Sequence, residues 1–196
     1  MKRTRTSISK PFSTGYAYVY MTNNNFENGW QLSSFLVSDQ DSIFSRTLKP
    51  LYSTNNDNYS YLFYSDQPPN CLPTEIYGHT KGVLAVDHST GFWLIHSVPK
   101  FVSTVSTGHY EYPNSGRRNG QTALCISFDT KTETAKIVNQ FLRNQPKVYD
   151  YFISAIILSL IPNFKDLLNK NWIRNKTSQA SIESISGHRF ISFAKG

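Results

Sequence analysis

Apolar residues in the first two thirds of the chain occur in short runs separated by polar turns, which is typical of β-strands. Aromatic and β-branched residues dominate these runs, and Gly, Pro, Asp or Ser bounds them. The pattern predicts strands over residues 16–20, 59–64, 83–86, 92–95 and 123–128, and another over 189–193 near the end of the chain. His88-Ser89-Thr90-Gly91 supplies turn residues between the third and fourth runs, so these two strands form a predicted β-hairpin.

Helical spacing of apolar residues begins after Asp129, and one short helix is predicted before it. The helices that the pattern predicts cover residues 41–47, 135–143, 149–160 and 163–170. Residues 149–160 are apolar nearly all round, which predicts a buried helix. The most apolar stretch, 152–161, is too short to span a bilayer. A length of 196 residues suits a single domain.

The predicted hairpin gathers chemically active side chains at one end of the sheet. His79 and Lys81 precede its first strand, and His96 and Ser97 follow its second. Two residues apart in an extended segment, His79 and Lys81 project from one face. A nucleophilic imidazole beside a fixed cation suits phosphoryl chemistry, in which negative charge must be held while an oxygen leaves. The alternative is a solvated strand end, because a lone His-x-Lys is common by chance.

The charge of the chain favours a polyanionic partner. Twenty Lys and Arg against thirteen Asp and Glu give a net charge of +7, and protonation of the five histidines in acid adds to it. Such a surface binds nucleic acids with an affinity that weakens as salt rises. Arg117 and Arg118 lie in a polar loop, 113–120, that leads into a predicted strand. They are either phosphate contacts or part of a solvated turn, and we favour the contacts.

Several longer sequence words resemble the deoxyribonuclease II family. They are Leu-Lys-Pro-Leu-Tyr at 48–52, Tyr-Ser-Asp-Gln-Pro-Pro at 64–69, Gly-His-Thr-Lys-Gly-Val-Leu at 78–84, Gly-Phe-Trp-Leu-Ile-His-Ser-Val-Pro at 91–99, Gly-Gln-Thr-Ala-Leu-Cys-Ile-Ser-Phe at 120–128 and Phe-Ile-Ser-Phe-Ala-Lys at 190–195. Long words in the family's order are far more specific than one motif. The resemblance runs from about residue 15 to 196, which leaves residues 1–14 as a basic segment expected to be disordered.

The resemblance implies a fold, a reaction and a set of residues. The fold is α/β (α+β) and like that of phospholipase D: a mixed sheet flanked by helices, in two pseudo-symmetric halves that each supply one His-x-Lys. The reaction is metal-independent cleavage of DNA in acid, in lysosomes or outside cells, leaving 3′-phosphate ends. One histidine attacks phosphorus and the other protonates the leaving oxygen. By position, His79 and Lys81 are catalytic, while His96 and Ser97 bind phosphate.

The chain also departs from the family. Among the five histidines only His79 is followed two places on by lysine, whereas the family has a second His-x-Lys downstream. No apolar segment follows the basic first ten residues, so no signal peptide is visible. These departures indicate one pseudo-symmetric half. Two functions stay open: an endonuclease, whose site two copies complete by homodimerising, or a catalytically incomplete DNA-binding relative or truncated gene product.

Cysteines, sequons and metal ligands complete the sequence-based expectations. Cys125 pairs in the family with an N-terminal cysteine not seen here, so we expect either a free, buried thiol or a bond to Cys71. Asn58 and Asn175 begin glycosylation sequons. No CxxC pair or His-Glu-x-x-His occurs, and we expect no clustered carboxylates beside His79, because Asp87, taken as the nearest acid, lies past the far end of the strand that follows Lys81. The sequence therefore predicts no metal and no cofactor, and it predicts no membrane partner.

Overall fold

The computed structural model describes residues 14–53, 59–72, 76–174 and 177–195. The first strands of the described part are two short antiparallel ones, β1 (Val19–Tyr20) and β2 (Gln31–Leu32). Helix α1 (Ile43–Leu48) follows, and its start is capped by the Ser42 hydroxyl, which accepts a hydrogen bond from the Ser45 N–H. The predicted helix over 41–47 is confirmed, whereas only the last two residues of the predicted strand over 16–20 pair with another strand.

A five-stranded sheet forms the centre of the fold. Its strands are β3 (Ser60–Ser65), β4 (Lys81–Val86), β5 (Thr90–His96), β6 (Ala123–Asp129) and β7 (Val148–Phe152), in the spatial order β6-β5-β4-β3-β7. Helices flank this sheet, so the expected α/β (α+β) class is confirmed. Every pairing among these five strands is antiparallel, so the parallel pairs implied by a mixed sheet do not occur among them.

The second half of the chain covers one face of the sheet. Helix α2 (Thr130–Asn144) begins at Asp129, whose carboxylate accepts a hydrogen bond from the Thr132 N–H. Two short helices, α3 (Ala155–Leu160) and α4 (Phe164–Leu168), come after β7. The hairpin of β8 (Thr177–Glu183) and β9 (Arg189–Lys195) then packs on this side through Ile182 and Phe190. The predicted helices over 135–143 and 163–170 and the final strand over 189–193 are confirmed.

Two apolar cores lie on opposite faces of the sheet. Leu62, Leu84 and Trp93 of the sheet pack with Phe141 of α2 in the first core. The second core is formed mainly by loops and aromatic residues on the other face: Val37, Leu48, Leu51, Tyr61, Phe63, Val83, Ala85, Leu94, Val98, Phe101, Val102, Tyr110 and Tyr112. Because both faces are covered, β3 and β4 are buried at every position. Each fully buried large apolar side chain contributes about 1.5–3 kcal/mol.

The predicted buried helix over 149–160 is wrong in its first half. Residues 148–152 form β7, which pairs with β3 at the edge of the sheet. The helix starts only after Ser154, whose hydroxyl accepts a hydrogen bond from the Ile157 N–H, and Ile156 on this helix is 73% exposed. An apolar run rich in aromatic and β-branched residues suits either structure, so periodicity alone does not separate them. No helix in the described ranges is long and apolar enough to cross a membrane.

Candidate active site

The two glycines of the Gly-His-Thr-Lys-Gly word fix the segment that carries His79 and Lys81. The Gly78 N–H donates to the carbonyl of Gln145 over 3.0 Å, and a Cβ at Gly78 would collide with the carbonyl oxygen of Asn144. A Cβ at Gly82 would strike the Leu94 carbonyl and the Tyr64 hydroxyl. Each position therefore requires glycine, and the segment between them is held against α2 on one side and the sheet on the other.

Antiparallel pairing brings three of the sequence-predicted residues to one end of the sheet. Ser65 at the end of β3 pairs with Lys81 at the start of β4. Gly82 pairs with Ile95, so Lys81 lies beside His96 at the end of β5. His79 lies two residues before Lys81 and stays outside the ladder, with its side chain 85% exposed. The structure thus gathers these side chains as the hairpin predicts.

Asp66 joins the catalytic candidates. One of its carboxylate oxygens accepts a hydrogen bond from Lys81 Nζ at 2.6 Å, and the other lies 3.0 Å from His79 Nδ1. The Lys81 and Asp66 side chains are both buried, at 5% and 6% exposure. A charged group that is removed from water needs an oppositely charged partner, and here Lys81 and Asp66 neutralise each other. Lys81 therefore has a fixed position beside the imidazole.

The contact with Asp66 sets the chemistry of the His79 ring. A neutral imidazole that donates its Nδ1–H to a carboxylate has its lone pair on Nε2. Because the ring is 85% exposed, Nε2 is open to an incoming substrate. In this arrangement the carboxylate orients the imidazole, and the adjacent ammonium can stabilise negative charge. Both features suit nucleophilic catalysis.

His96 is a buried neutral imidazole against this cluster. Its ring meets Phe101 edge to face with 5.1 Å between centroids, and neither ring nitrogen completes a hydrogen bond within the described residues. Burial, and then the positive charge of Lys81, lower the pKa of His96 to about 3. The nearby Val98 backbone only partly opposes this shift. A neutral imidazole keeps one ring N–H, and at the edge of the site this group can donate a hydrogen bond to a phosphate oxygen.

Ser97 and Arg117 have other partners than the predicted phosphate. The Ser97 hydroxyl donates to Gln121 Oε1 at 2.6 Å and accepts from the Thr122 N–H, which closes the base of the loop between β5 and β6. Arg117 donates to the Thr14 carbonyl and stacks on Tyr16 at 4.6 Å. Arg118 is exposed on the same loop. Substrate binding by these three residues stays a prediction.

Asp66 was not found as a site residue by sequence reasoning, which named Asp87 as the nearest acid. Asp66 lies nearer to His79, whereas Asp87 follows the far end of β4, as expected, and accepts hydrogen bonds from the N–H groups of Ser89 and Thr90. A signal existed in the Tyr-Ser-Asp-Gln-Pro-Pro word at 64–69. Nothing local shows that an aspartate after β3 meets a lysine fifteen residues later.

The remaining predicted residues lie away from this cluster or outside the described ranges. Cys71 and Cys125 are free and exposed, so the free thiol expected at Cys125 is confirmed, whereas its expected burial and the Cys71–Cys125 bond are wrong. Cys125 lies on β6, an edge strand with one uncovered side. Asn58 and Asn175 fall outside the described residues. In the described ranges no three His, Cys, Asp or Glu side chains come together as a metal site.

A histidine and a lysine thus share one carboxylate at the end of an antiparallel sheet that helices flank. The family described as deoxyribonuclease II matches residues 2–196, so the match begins earlier than residue 15. The chain belongs to the deoxyribonuclease II family.

Known relatives agree with this assignment. The chain is 34% identical to mouse deoxyribonuclease-2-alpha over 194 residues, 96% of this chain and 54% of the relative. It is 37% identical to plancitoxin-1 of Acanthaster planci, covering 95% and 53% of the two chains. It is 34% identical to human deoxyribonuclease-2-beta, covering 93% and 51%. The chain therefore spans about half the length of the relatives it matches.

Proposed function

We propose that this chain carries one half of the active site of an acid, metal-independent endonuclease that hydrolyses DNA phosphodiesters. The observation that carries this proposal is the shared carboxylate. Asp66 contacts both His79 and Lys81 while the His79 ring remains exposed. Family membership supports DNA as the substrate, and a net charge of +7 favours a polyanion.

The proposed reaction has two steps and needs no metal to balance it. In the first, His79 Nε2 attacks phosphorus, a P–N bond forms, and the bond to the 5′ oxygen breaks as that oxygen takes a proton from a second imidazole. In the second, the imidazole that lost its proton takes one from water, the water oxygen attacks the phosphohistidine, and the P–N bond breaks, which frees His79 and leaves a 3′-phosphate end. The Lys81 ammonium, fixed by Asp66, stabilises the negative charge that develops on the phosphoryl oxygens.

The need for a second imidazole that can donate a proton favours a homodimer. His96 is a poor proton donor in this role, because burial and Lys81 lower its pKa to about 3 and keep it neutral in mild acid. A donor of the right kind is His79 of a second copy, exposed and on the same kind of motif. Two copies would then supply one His-x-Lys each and complete one site between them.

Acid conditions follow from the same requirement. The leaving oxygen needs a protonated imidazole, which favours pH values near or below the ordinary histidine range. We therefore place the activity in lysosomes or in an acidic space outside cells. The sequons at Asn58 and Asn175 are compatible with that route.

A second candidate function is DNA binding without cleavage, by a catalytically incomplete relative. The observation in its favour is the net charge of +7, which attracts a polyanion whether or not a second His-x-Lys completes the site. This candidate predicts salt-dependent DNA binding that His79→Ala leaves unchanged and no turnover at any pH.

Plasmid nicking separates the two candidates. The purified chain is assayed at about pH 5 in EDTA, with His79→Ala as the matched control. We expect nicking by the natural sequence and none by the variant. No cleavage by the natural sequence ends the enzyme proposal. Activity that requires Mg²⁺ and peaks above about pH 8 contradicts the histidine mechanism.

The dimer has its own test. Increasing amounts of the His79→Ala chain are added to a constant amount of the natural chain under exchange conditions. If each site needs His79 from both copies, mixed dimers are inactive, and activity falls as the variant accumulates. Activity that stays constant during the titration shows that one copy is sufficient.

A further inference from the structure

A row of side chains crosses four strands at the active-site end of the sheet. Ser65 pairs with Lys81, and the register of β4 on β5 places His96 next in line. On the other side of β3, the Ser65 N–H donates to the carbonyl of Lys147 at 3.0 Å. Lys147 directly precedes β7 and extends the row by one strand. Residues opposite each other on neighbouring strands share a face of the sheet, so Lys147 lies on the same face as Lys81.

The position of Lys147 is fixed relative to both parts of the site. The turn between α2 and β7 accepts the Gly78 N–H through the carbonyl of Gln145. Two residues later the same turn accepts the Ser65 N–H through Lys147. The first of these hydrogen bonds holds Gly78, the residue before His79, and the second holds Ser65, the residue before Asp66. The main chain of Lys147 belongs to the same rigid frame as the catalytic candidates.

Lys81 is paired with a carboxylate, whereas Lys147 has no such partner among the described residues. Lys81 is buried and is bound to Asp66 at 2.6 Å. Lys147 is partly exposed and forms no salt bridge with any described residue. Two strand spacings separate the positions, or about 9.5 Å. The charge of Lys147 is thus available to a second anionic group while Lys81 serves the first.

We propose that Lys147 binds the DNA phosphate adjacent to the one that is cleaved. The DNA strand then crosses the end of the sheet along the row, from the β7 side towards β5. Cleavage at the neighbouring phosphate rests on the proposed function, whereas the contact between Lys147 and DNA does not. The site would accordingly favour a polynucleotide with successive phosphates over an isolated phosphodiester.

Lys131 is a matched control for this contact. It is an exposed lysine in the first turn of α2. The neighbouring Thr130 N–H donates to the Ser89 carbonyl in the β4–β5 turn, so Lys131 lies at the end of the sheet opposite the site. Lys147→Gln and Lys131→Gln remove the same charge from the same chain. Any difference between the variants therefore reports position and not net charge.

The experiment measures binding of a labelled single-stranded oligonucleotide by fluorescence anisotropy at several salt concentrations. Each variant is placed in a His79→Ala background so that the probe stays intact. We expect Lys147→Gln to reduce the slope of log affinity against log salt by about 0.7, the loss of one phosphate contact on a single strand. We expect Lys131→Gln to leave the slope unchanged and Lys147→Arg to retain it, which also shows that the position tolerates substitution.

Two results overturn the proposal: equal slopes for Lys147→Gln and its background, or equal reductions in the two Lys→Gln variants. Binding is read separately from cleavage. A Lys147-dependent slope in a chain that never nicks DNA supports the contact and rejects the nuclease. If the chain nicks DNA but Lys147→Gln leaves the salt slope unchanged, the Lys147 contact is rejected and the nuclease proposal is not.

Discussion

Two aspartates at opposite ends of the central sheet show how one carboxylate builds a turn and another builds a site. Asp87 directly follows β4, and Asp66 directly follows β3. Asp87 Oδ1 accepts hydrogen bonds from the Ser89 and Thr90 N–H groups, each at 2.7 Å. The two oxygens of Asp66 contact Lys81 and His79. Both carboxylates are satisfied, but only one of them by groups that can take part in a reaction.

The difference lies in the distance along the chain to the partners. Asp87 binds residues two and three positions later, so the turn that it stabilises is also the source of its donors. Burial works to raise the pKa of Asp87, but the hydrogen bonds from Thr90 and Ser89 outweigh it and hold this pKa below its usual value. Asp66 meets Lys81 only because β3 and β4 pair. A local carboxylate shapes the backbone, and a carboxylate that bridges strands positions side chains.

The strongest test of this comparison is Asp66→Asn. The change leaves the buried Lys81 ammonium without its anionic partner, and breaking a buried ion pair in this way costs about 3–5 kcal/mol of unfolding free energy. Urea denaturation measures the loss. Adding Lys81→Met to Asp66→Asn removes the stranded charge, and we expect part of the stability to return. A stability for Asp66→Asn equal to that of the natural sequence would show that the pair is not buried in solution.

Lys81→Ala separates chemistry from charge at the same carboxylate. We expect the cleavage rate to fall by about 10²-fold or more, because a group that stabilises transition-state charge is removed. DNA affinity should change far less, since one phosphate contact among many is a small share of binding. Plasmid nicking and oligonucleotide binding are compared under conditions in which the variant is folded. Equal losses in rate and affinity contradict the proposed role of Lys81.

His96→Asn tests the acid end of the pH range. Between a folded pKa of about 3 and an unfolded value near 6.5, the unfolded chain binds the extra proton, so His96 reduces stability as pH falls through this window. The natural chain should lose about 2 kcal/mol more than His96→Asn between about pH 7 and about pH 4.5. Thermal or urea unfolding at both values gives the difference. Parallel pH dependences indicate that the ring is accessible to protons in the folded state.

Asp87→Ala is the matched control for Asp66 and has the smallest expected effect. Water can replace the two lost partners at this exposed turn, so losing both hydrogen bonds should cost only about 1 kcal/mol in total. The residue lies at the far end of the sheet, so nicking activity should equal that of the natural chain once folding is complete. A large loss of activity here would mean that the two ends of the sheet are coupled.

Local order in the sequence determined several parts of this protein. The β4–β5 hairpin and α2 were predicted because alternation, turn residues and helical spacing act over a few neighbouring positions. The same rules placed His79, Lys81 and His96 at one end of the sheet, since a hairpin has only one way to bring its outer ends together. Sequence words of the deoxyribonuclease II family, in the family's order, predicted the family.

Tertiary structure alone decided what those residues contact. Asp66 and Lys147 enter the site through the pairing of β3 with β4 and β7, and no local pattern encodes which strands become neighbours. Residues 148–152 are a strand because an edge of the sheet was available to them. Cys125 is exposed because β6 lies at the opposite edge. Pairing and burial depend on contacts between distant parts of the chain, so they appear only when the whole sheet has formed.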